Sequence, residues 1–338
     1  MYLHQTDLHF HLHKVSKHLT LNIRFMKKII LGAITLLAFT FQSCDKVKNP
    51  YPKQYVDIDT NLLFGMNLET YKNTLWPSFG PNTNTNVNVL IEDFTGHKCP
   101  NCPNAAIEAR NIEGQHEGRV FVATIHSGAY ATTYFQNYQF APYTANFTTP
   151  EGLEISTEIS DGGFGGNPSG TINRKTFGGF IFQNYSGWAS NVSSILTANI
   201  LKVNIQSKCN YFPETRGVFL HTEVDKLISD SLELYQVVYL LEDSIIKPQT
   251  LPDGTTDLNY VHRDVHRGNI DGKAMGRKIT EDMKVDKNGG ALSGNKYYLN
   301  YSYKLPDQYN PDNMHLLIYV YRKDTKEVLQ VIKQKIKP

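Results

Sequence analysis

The sequence predicts an α/β unit followed by an all-β antiparallel sandwich of immunoglobulin-like type, and three observations carry that expectation. Between Asn86 and Gly128 a nearly continuous apolar run, a stretch of helix formers and a second apolar run follow one another, the pattern of a βαβ crossover. From about Leu201 the pattern turns to alternation: Leu201, Val203, Ile205, Ser207 and Cys209 share one face of a run, and Val218, Leu220, Thr222 and Val224 share a face of the next. Turn signals such as Pro252-Asp253-Gly254 and Asn288-Gly289-Gly290 divide this half into roughly seven short runs with little helix signal between them.

The N-terminal stretch is read as targeting sequence. From Met26, "MKKIILGAITLLAFTFQSC" sets two lysines before the apolar run Ile29 to Phe41 and ends in Cys44. The apolar part falls short of the roughly 20 residues of a transmembrane helix, so it reads as a secretory signal. Phe41-Gln42-Ser43-Cys44 resembles a bacterial lipobox, which makes Cys44 the expected lipidation site and the lipid the membrane anchor; an ordinary cleaved signal is the alternative. Met26-Lys27-Lys28 is itself a complete signal start, so residues 1–25, with their five histidines, are expected to lie upstream of the true start. Without residues 1–44, which hold five of the 34 basic and one of the 32 acidic residues, 29 basic face 31 acidic side chains. That balance leaves no electrostatic footprint for nucleic acid. Residues 45–86, poor in periodicity and ending in "PSFGPNTNTN", read as a tether.

Ordered structure is expected from residue 87, with an α/β domain over 87–199 and the sandwich over 200–338. "NVNVLIEDF" ends in the kind of run a strand shows when both faces are covered. "PNAAIEARNIEGQ" is a helix stopped near Gly114, and "RVFVATIHSG" is the next strand. Between strand and helix lies "HKCPNCP". A cysteine at a helix entrance meets unpaired N–H groups and the positive end of the helix dipole, which favour its thiolate. Cys99 takes that position, Pro100 loses nothing there by lacking an N–H, and Cys102 follows one turn on. His97 and Lys98 add positive charge beside the pair.

This arrangement resembles the thioredoxin-like superfamily. The resemblance implies a dithiol in which Cys99 attacks and Cys102 resolves. It implies that Asp93, at the spacing of the family's buried Asp-Phe pair, moves protons for Cys102, although a solvated or helix-capping acid fits the residue as well. It implies a cis-proline opening the third core strand, for which "GGNPSGTINR" offers Pro168, and a plain Gly/Pro turn is the other reading. The insert 129–166 is rich in Tyr and Phe, with a helix start at Thr149-Pro150-Glu151; its aromatic residues either pack the insert onto the sheet or contact a peptide.

Other patterns lead nowhere. A zinc site wants four Cys/His ligands, and a single CxxC with Cys209 far away does not supply them. "DIDTN" at Asp57 to Asn61 lacks the glycine and the terminal glutamate of a calcium loop. "HRDVHRGN" fits a kinase catalytic loop, but nothing else of a kinase accompanies it; His262, His266 and Arg267 are expected on a strand edge of the sandwich. Cys209 is expected to be a buried, inert thiol. No cofactor or metal is expected.

A signal with a lipobox, "FTGHKCPNCP" and a C-terminal sandwich together resemble the outer membrane protein 28-like lipoproteins of Gram-negative envelopes. Phe94, Thr95, Gly96, Cys99, Cys102 and Pro103 match that family's opening segment, and "YVHRDVHR" its His/Val/Arg stretch. The resemblance implies a location at the outer membrane, facing either the periplasm or the outside. Two functions remain open: an envelope thiol-disulfide oxidoreductase acting on protein thiols or an envelope redox partner, and a non-enzymatic binding or adhesion lipoprotein in which the pair is a permanent disulfide.

Overall fold

A computed structural model describes residues 58–127, 134–160, 164, 166–229 and 231–337. Cys44 and the signal segment lie outside the described residues. Tyr55–Pro338 form one compact unit. Its first part runs α1 (Leu68–Thr74), β1 (Val89–Thr95), α2 (Cys102–Gln115), β2 (Val120–His126), α3 (Pro150–Glu158), β3 (Ser169–Ile172) and α4 (Trp188–Ala198). Then come β4 (Val203–Phe212), β5 (Gly217–Lys226), β6 (Leu234–Glu242), the short β7 (Ile245–Ile246), β8 (Gln249–Thr250), β9 (Thr256–Asp257) and β10 (Val261–His262), and β11 (Val265–Asn269). β12 (Arg277–Lys278), β13 (Lys296–Lys304), β14 (Met314–Arg322) and β15 (Val328–Lys335) complete the chain.

β1 is buried at every residue, as its unbroken apolar run requires. It pairs in parallel with β2, from Val89 opposite Val120 to Thr95 opposite His126, and antiparallel with β3. The segments read as an α/β domain and a separate sandwich share one sheet, in the order β15-β14-β6-β11-β2-β1-β3, with β12 attached to β6. A second sheet, β13-β5-β4, covers part of it.

Side-chain parity shows how the layers are built. Val89 and Ile91 of β1 and Val120 and Val122 of β2 pack with Ala105, Ala109 and Ile112 of α2 and Trp188, Val192 and Ile195 of α4. On the same side of the sheet, Val238, Leu240, Leu316, Ile318 and Val320 face Val203, Ile205, Val218, Leu220 and Leu299 of the second sheet. The opposite side carries Leu90, Phe94 and Ile125 with Ile155 and Ile159 of α3, and continues into Tyr239, Leu241, Leu317 and Tyr319. Gly170 lets Trp188 lie against β3, because a Cβ there would overlap the indole ring.

Two expectations differ from this architecture. His266 sits in β11, which lies inside the eight-stranded sheet between β6 and β2 and is not a strand edge. Its imidazole is buried and bonded to Thr149 Oγ1 (2.9 Å) and Asn269 Oδ1 (2.9 Å), so a polar side chain in the sheet interior is satisfied locally. Within the stretch read as a tether, Leu62, Leu63 and Tyr71 pack on Phe212 and Phe219 of the second sheet, and Tyr71 bonds His221 at 2.7 Å. The absence of periodicity there reflects a short helix and irregular chain laid on a sheet, not chain without a core to join.

β11 meets β2 at a single register pair, Val265 with Thr124. A fully buried ion pair crosses the same junction. Glu92 of β1 accepts from Arg174 Nε (2.8 Å) and Nη2 (2.7 Å), from Thr171 Oγ1 (2.7 Å) and from Tyr239 O–H (2.8 Å). Arg174 Nη2 also donates to Tyr239 and Tyr319, on β6 and β14. Burial alone would push the Glu92 carboxyl up, but the attraction and hydrogen bonds of Arg174, with those of Thr171 and Tyr239, hold it below the usual carboxylate range. Arg174→Met leaves a buried carboxylate uncompensated and is expected to cost about 3–5 kcal/mol. The double variant Glu92→Leu/Arg174→Met is expected to recover part of that loss, both read from urea unfolding of the purified protein.

Candidate functional site

The site is assembled where β1 ends. After Thr95 the chain turns, Cys99 N–H donates to the Gly96 carbonyl (3.0 Å), and the regular helix starts at Cys102 with Pro103 in its first turn. Cys99 therefore lies in the turn leading into the helix, three residues ahead of its first position. Cys99 and Cys102 form a disulfide with a Cα–Cα distance of 5.4 Å. Each is only 1% exposed.

Two segments from elsewhere cover the motif. Lys98 N–H donates to the Phe135 carbonyl (3.0 Å), from the aromatic insert. From the C-terminal half, Thr250 N–H donates to the His97 carbonyl (2.9 Å), and Gln249 Nε2 donates to the carbonyls of Cys99 (3.1 Å) and Gly96 (3.3 Å). Tyr143 hydroxyl bonds Thr250 Oγ1 (2.6 Å) and Thr256 Oγ1 (3.0 Å), joining the two covering segments. Within the insert, Tyr143 and Phe147 are buried, whereas Tyr134, Tyr138 and Phe140 are exposed. Helix α3 starts as expected, with Thr149 Oγ1 accepting from Gly152 N–H.

Three buried histidines stand beside the pair. His126, at the end of β2, lies between His97 (ring centroids 6.2 Å) and His262 (5.8 Å), with Phe147 against both His126 (4.6 Å) and His262 (4.8 Å). Burial depresses His97 and His262 to about 4 and holds His126 well below the ordinary value, so the cluster is neutral. Among the described residues no group of histidine, cysteine or carboxylate side chains is arranged to hold a metal ion.

Asp93 lies on the face of β1 that looks toward α2. It is buried, and neither carboxylate oxygen has a hydrogen-bond partner. Burial pushes its carboxyl up to about 7, against the opposing pull of Arg110. Asp93 and Cys102 line one cavity of about 320 Å³, together with Thr124, Arg110, Tyr260 and His262. Arg110 of α2 is held by Asp264 (2.8 Å) and Glu113 (2.8 Å), and Lys333 of β15 reaches the same two carboxylates.

Pro168 follows a cis peptide bond from Asn167 and immediately precedes β3. Phe94 is opposite Ser169, so one further step of that register sets Pro168 beside Thr95, at the base of the cysteine turn. A second cis bond, Ala141–Pro142, lies in the insert and has no signal in the reading of the sequence. Cys209 is half-buried on β4, far along the chain from the site, and burial pushes its thiol up to about 12.

Sequence reasoning missed the contribution of residues 249–264. Gln249 clamps the cysteine turn, Tyr260 and His262 wall the cavity, and Asp264 anchors α2. The available signal was the "YVHRDVHR" stretch, whose acid and histidines look like a solvated edge until the sheet closes over them. Asp264 and Asn269, the two residues that mimic a kinase loop, are both occupied structurally: Asn269 bonds His266 and the carbonyls of Lys273 and Ala274.

A family model for outer membrane protein Omp28 matches residues 156–338, more than half of the chain. The chain belongs to the Omp28 family. The matched span contains the 249–264 segment that covers the cysteines but begins after the cysteines themselves. Among solved structures, HBP35 of Porphyromonas gingivalis is 15% identical with a TM-score of 0.57, covering 75% of this chain and 77% of that one, a likeness of fold. A domain of the outer membrane lipoprotein Omp28 from Porphyromonas gingivalis is 22% identical and covers 41% of this chain and 91% of that one, with a TM-score of 0.27. No curated protein matches the chain. Membership puts this chain in a family of outer membrane proteins.

Asp93 gives this Omp28 protein a distinctive pH dependence. Its carboxyl is ordinary, near 3.8, in the unfolded chain and near 7 in the folded one. The folded state therefore binds the proton more tightly, and the stability this confers is full below about 4 and lost as pH rises through 7, by up to ~4 kcal/mol. Asp93→Asn is expected to be more stable than the native protein at pH 8 and to lose that advantage by pH 4, as read from guanidinium unfolding of both proteins across that range.

Proposed function

We propose that this protein is a lipid-anchored outer-membrane protein, tethered through Cys44, whose thioredoxin-like module carries out thiol-disulfide exchange at Cys99 and Cys102 and whose second, immunoglobulin-like sheet pair forms the rest of the body. In the reduced state Cys99, in the turn before the helix, is the thiolate that attacks a substrate disulfide. Cys102 then displaces the substrate from the mixed disulfide, and Asp93 takes the Cys102 proton. Pro168 edges the site beside the end of β1, where a substrate backbone is received.

The observation that carries this reading is Asp93. A carboxylate buried without a hydrogen bond is costly, and a permanent disulfide has no need of one. Beside a dithiol it is a proton acceptor whose affinity for the proton, near 7, suits exchange chemistry. The 1% exposure of both cysteines favours a second reading, a binding lipoprotein with a structural disulfide. In the first reading the Gln249 and Phe135 contacts on the cysteine turn open before a protein substrate docks.

Equilibration with a redox buffer separates the two. Exchange predicts a reduction potential above about −300 mV, and mixed disulfides trapped on a Cys102→Ala variant in cells. A lower potential with no trapped partner establishes the structural disulfide.

A further inference from the structure

We infer that the oxidised pair is recharged by a small thiol that enters the cavity beneath α2 and attacks Cys102 Sγ, and not by a protein reductase docking over Cys99. The inference rests on the exchange reading above and names the class of its reductant. The lining of the cavity, its size and the chemistry of the leaving group all point to this route.

Cys102, and not Cys99, contributes to the cavity wall. Cys99 does not line the cavity, and it sits in a turn whose carbonyls are occupied by Gln249 and whose residues His97 and Lys98 are tied to Thr250 and Phe135. The cavity, about 320 Å³, is at the small end of the range of about 300–1,000 Å³ for small-molecule sites. It admits a compact thiol and excludes a folded domain. Its mouth is formed by the exposed Ile107 and half-buried Ala106 of α2 and by Val261 and Arg263.

Attack on this sulfur is also the chemically favoured direction. Thiol-disulfide exchange runs faster when the displaced thiol is the more acidic one. Attack at Cys102 expels Cys99, which lies in the turn leading into the start of α2, where the unpaired N–H groups of the first helical turn favour a thiolate, and next in sequence to Lys98. Asp93, buried and unpartnered on the cavity wall, takes the proton of the entering thiol.

The thiol R–SH gives its proton to the Asp93 carboxylate, its sulfur bonds Cys102 Sγ, and the Cys99–Cys102 bond breaks with its electron pair on Cys99. A second R–SH attacks the R sulfur of the mixed disulfide, releasing R–S–S–R and passing its proton to Cys102. Asp93 returns its proton to solvent or to Cys99. Two thiols are oxidised to one small disulfide and the protein disulfide is reduced to the dithiol.

The test follows reduction of the oxidised full-length protein by glutathione and, separately, by reduced thioredoxin. Acid-quenched samples are mapped by mass spectrometry for the cysteine that carries glutathione. The expected result is an adduct on Cys102, reduction by glutathione at least ten-fold faster than by thioredoxin at equal thiol concentration, and a loss of ten-fold or more in Ala106→Trp. Ile107→Trp, at the exposed rim, covers the case in which the first variant fails to fold and is expected to slow glutathione in the same direction. An adduct on Cys99, unchanged rates in both folded variants, or preference for thioredoxin overturns the small-thiol route while leaving exchange in place. Resistance of the folded protein to both reductants, with a potential below about −300 mV, overturns exchange itself.

Discussion

The Glu92–Arg174 ion pair is the constraint on which the rest of the molecule depends. Both side chains are fully buried, and the pair is joined to Tyr239 and Tyr319 by short hydrogen bonds. Glu92 belongs to the strand that delivers the chain to the cysteines, and the two tyrosines belong to strands from the far half of the sequence. Where β11 and β2 share only one register pair, this network supplies the connection that a backbone ladder does not. A buried ion pair is weak evidence of net stability, since desolvation opposes the attraction. Its geometry is better evidence of registration: Arg174 Nη2 meets Glu92, Tyr239 and Tyr319 together, which sets β6 and β14 at one position relative to β1.

That registration has a direct consequence for the site. With β6 placed, β11 lies against β2, and the chain before it is led across the cysteine turn as the β8–β9 hairpin and β10. Asp264 then reaches Arg110 on the cysteine-bearing helix, and Lys333 of β15 joins the same cluster. The cavity holding Asp93 and Cys102 thus has walls from both halves of the chain. Its electrostatics follow from closure: an uncovered Asp93 or His97 would titrate ordinarily, and burial moves the one up and the other down.

Much of the local structure was legible in the residues. The βαβ unit could be read because each of its elements announces itself within its own stretch, through the run at Val89–Phe94, the helix formers after Pro103 and the run at Val120–Ile125. The alternation of β5, β6, β13 and β14 identified strands of a two-layer arrangement for the same reason. The cis bond before Pro168 was implied by the resemblance to thioredoxin-like proteins, the local residues alone being equally consistent with a plain Gly/Pro turn. Asp93 was legible as a candidate by its spacing from Cys99, but its lack of any partner was not, because that is a property of everything around it. The second half of the site was only faintly legible: Gln249 lies 150 residues from Cys99, and although the "YVHRDVHR" stretch singles out Tyr260 and His262, nothing in it marks them as cover for a helix start.

Local pattern was enough to place the βαβ unit and the long antiparallel strands and to set the cysteine pair between β1 and α2. These depend on periodicity and on the geometry of consecutive residues. The tertiary structure alone decided that the two halves share a sheet, that β11 runs inside it, and that Cys102 and not Cys99 faces a cavity. Strand pairing across long separations is selected by the fit of whole faces and by buried partners such as Arg174, and neither is encoded in any short stretch of chain.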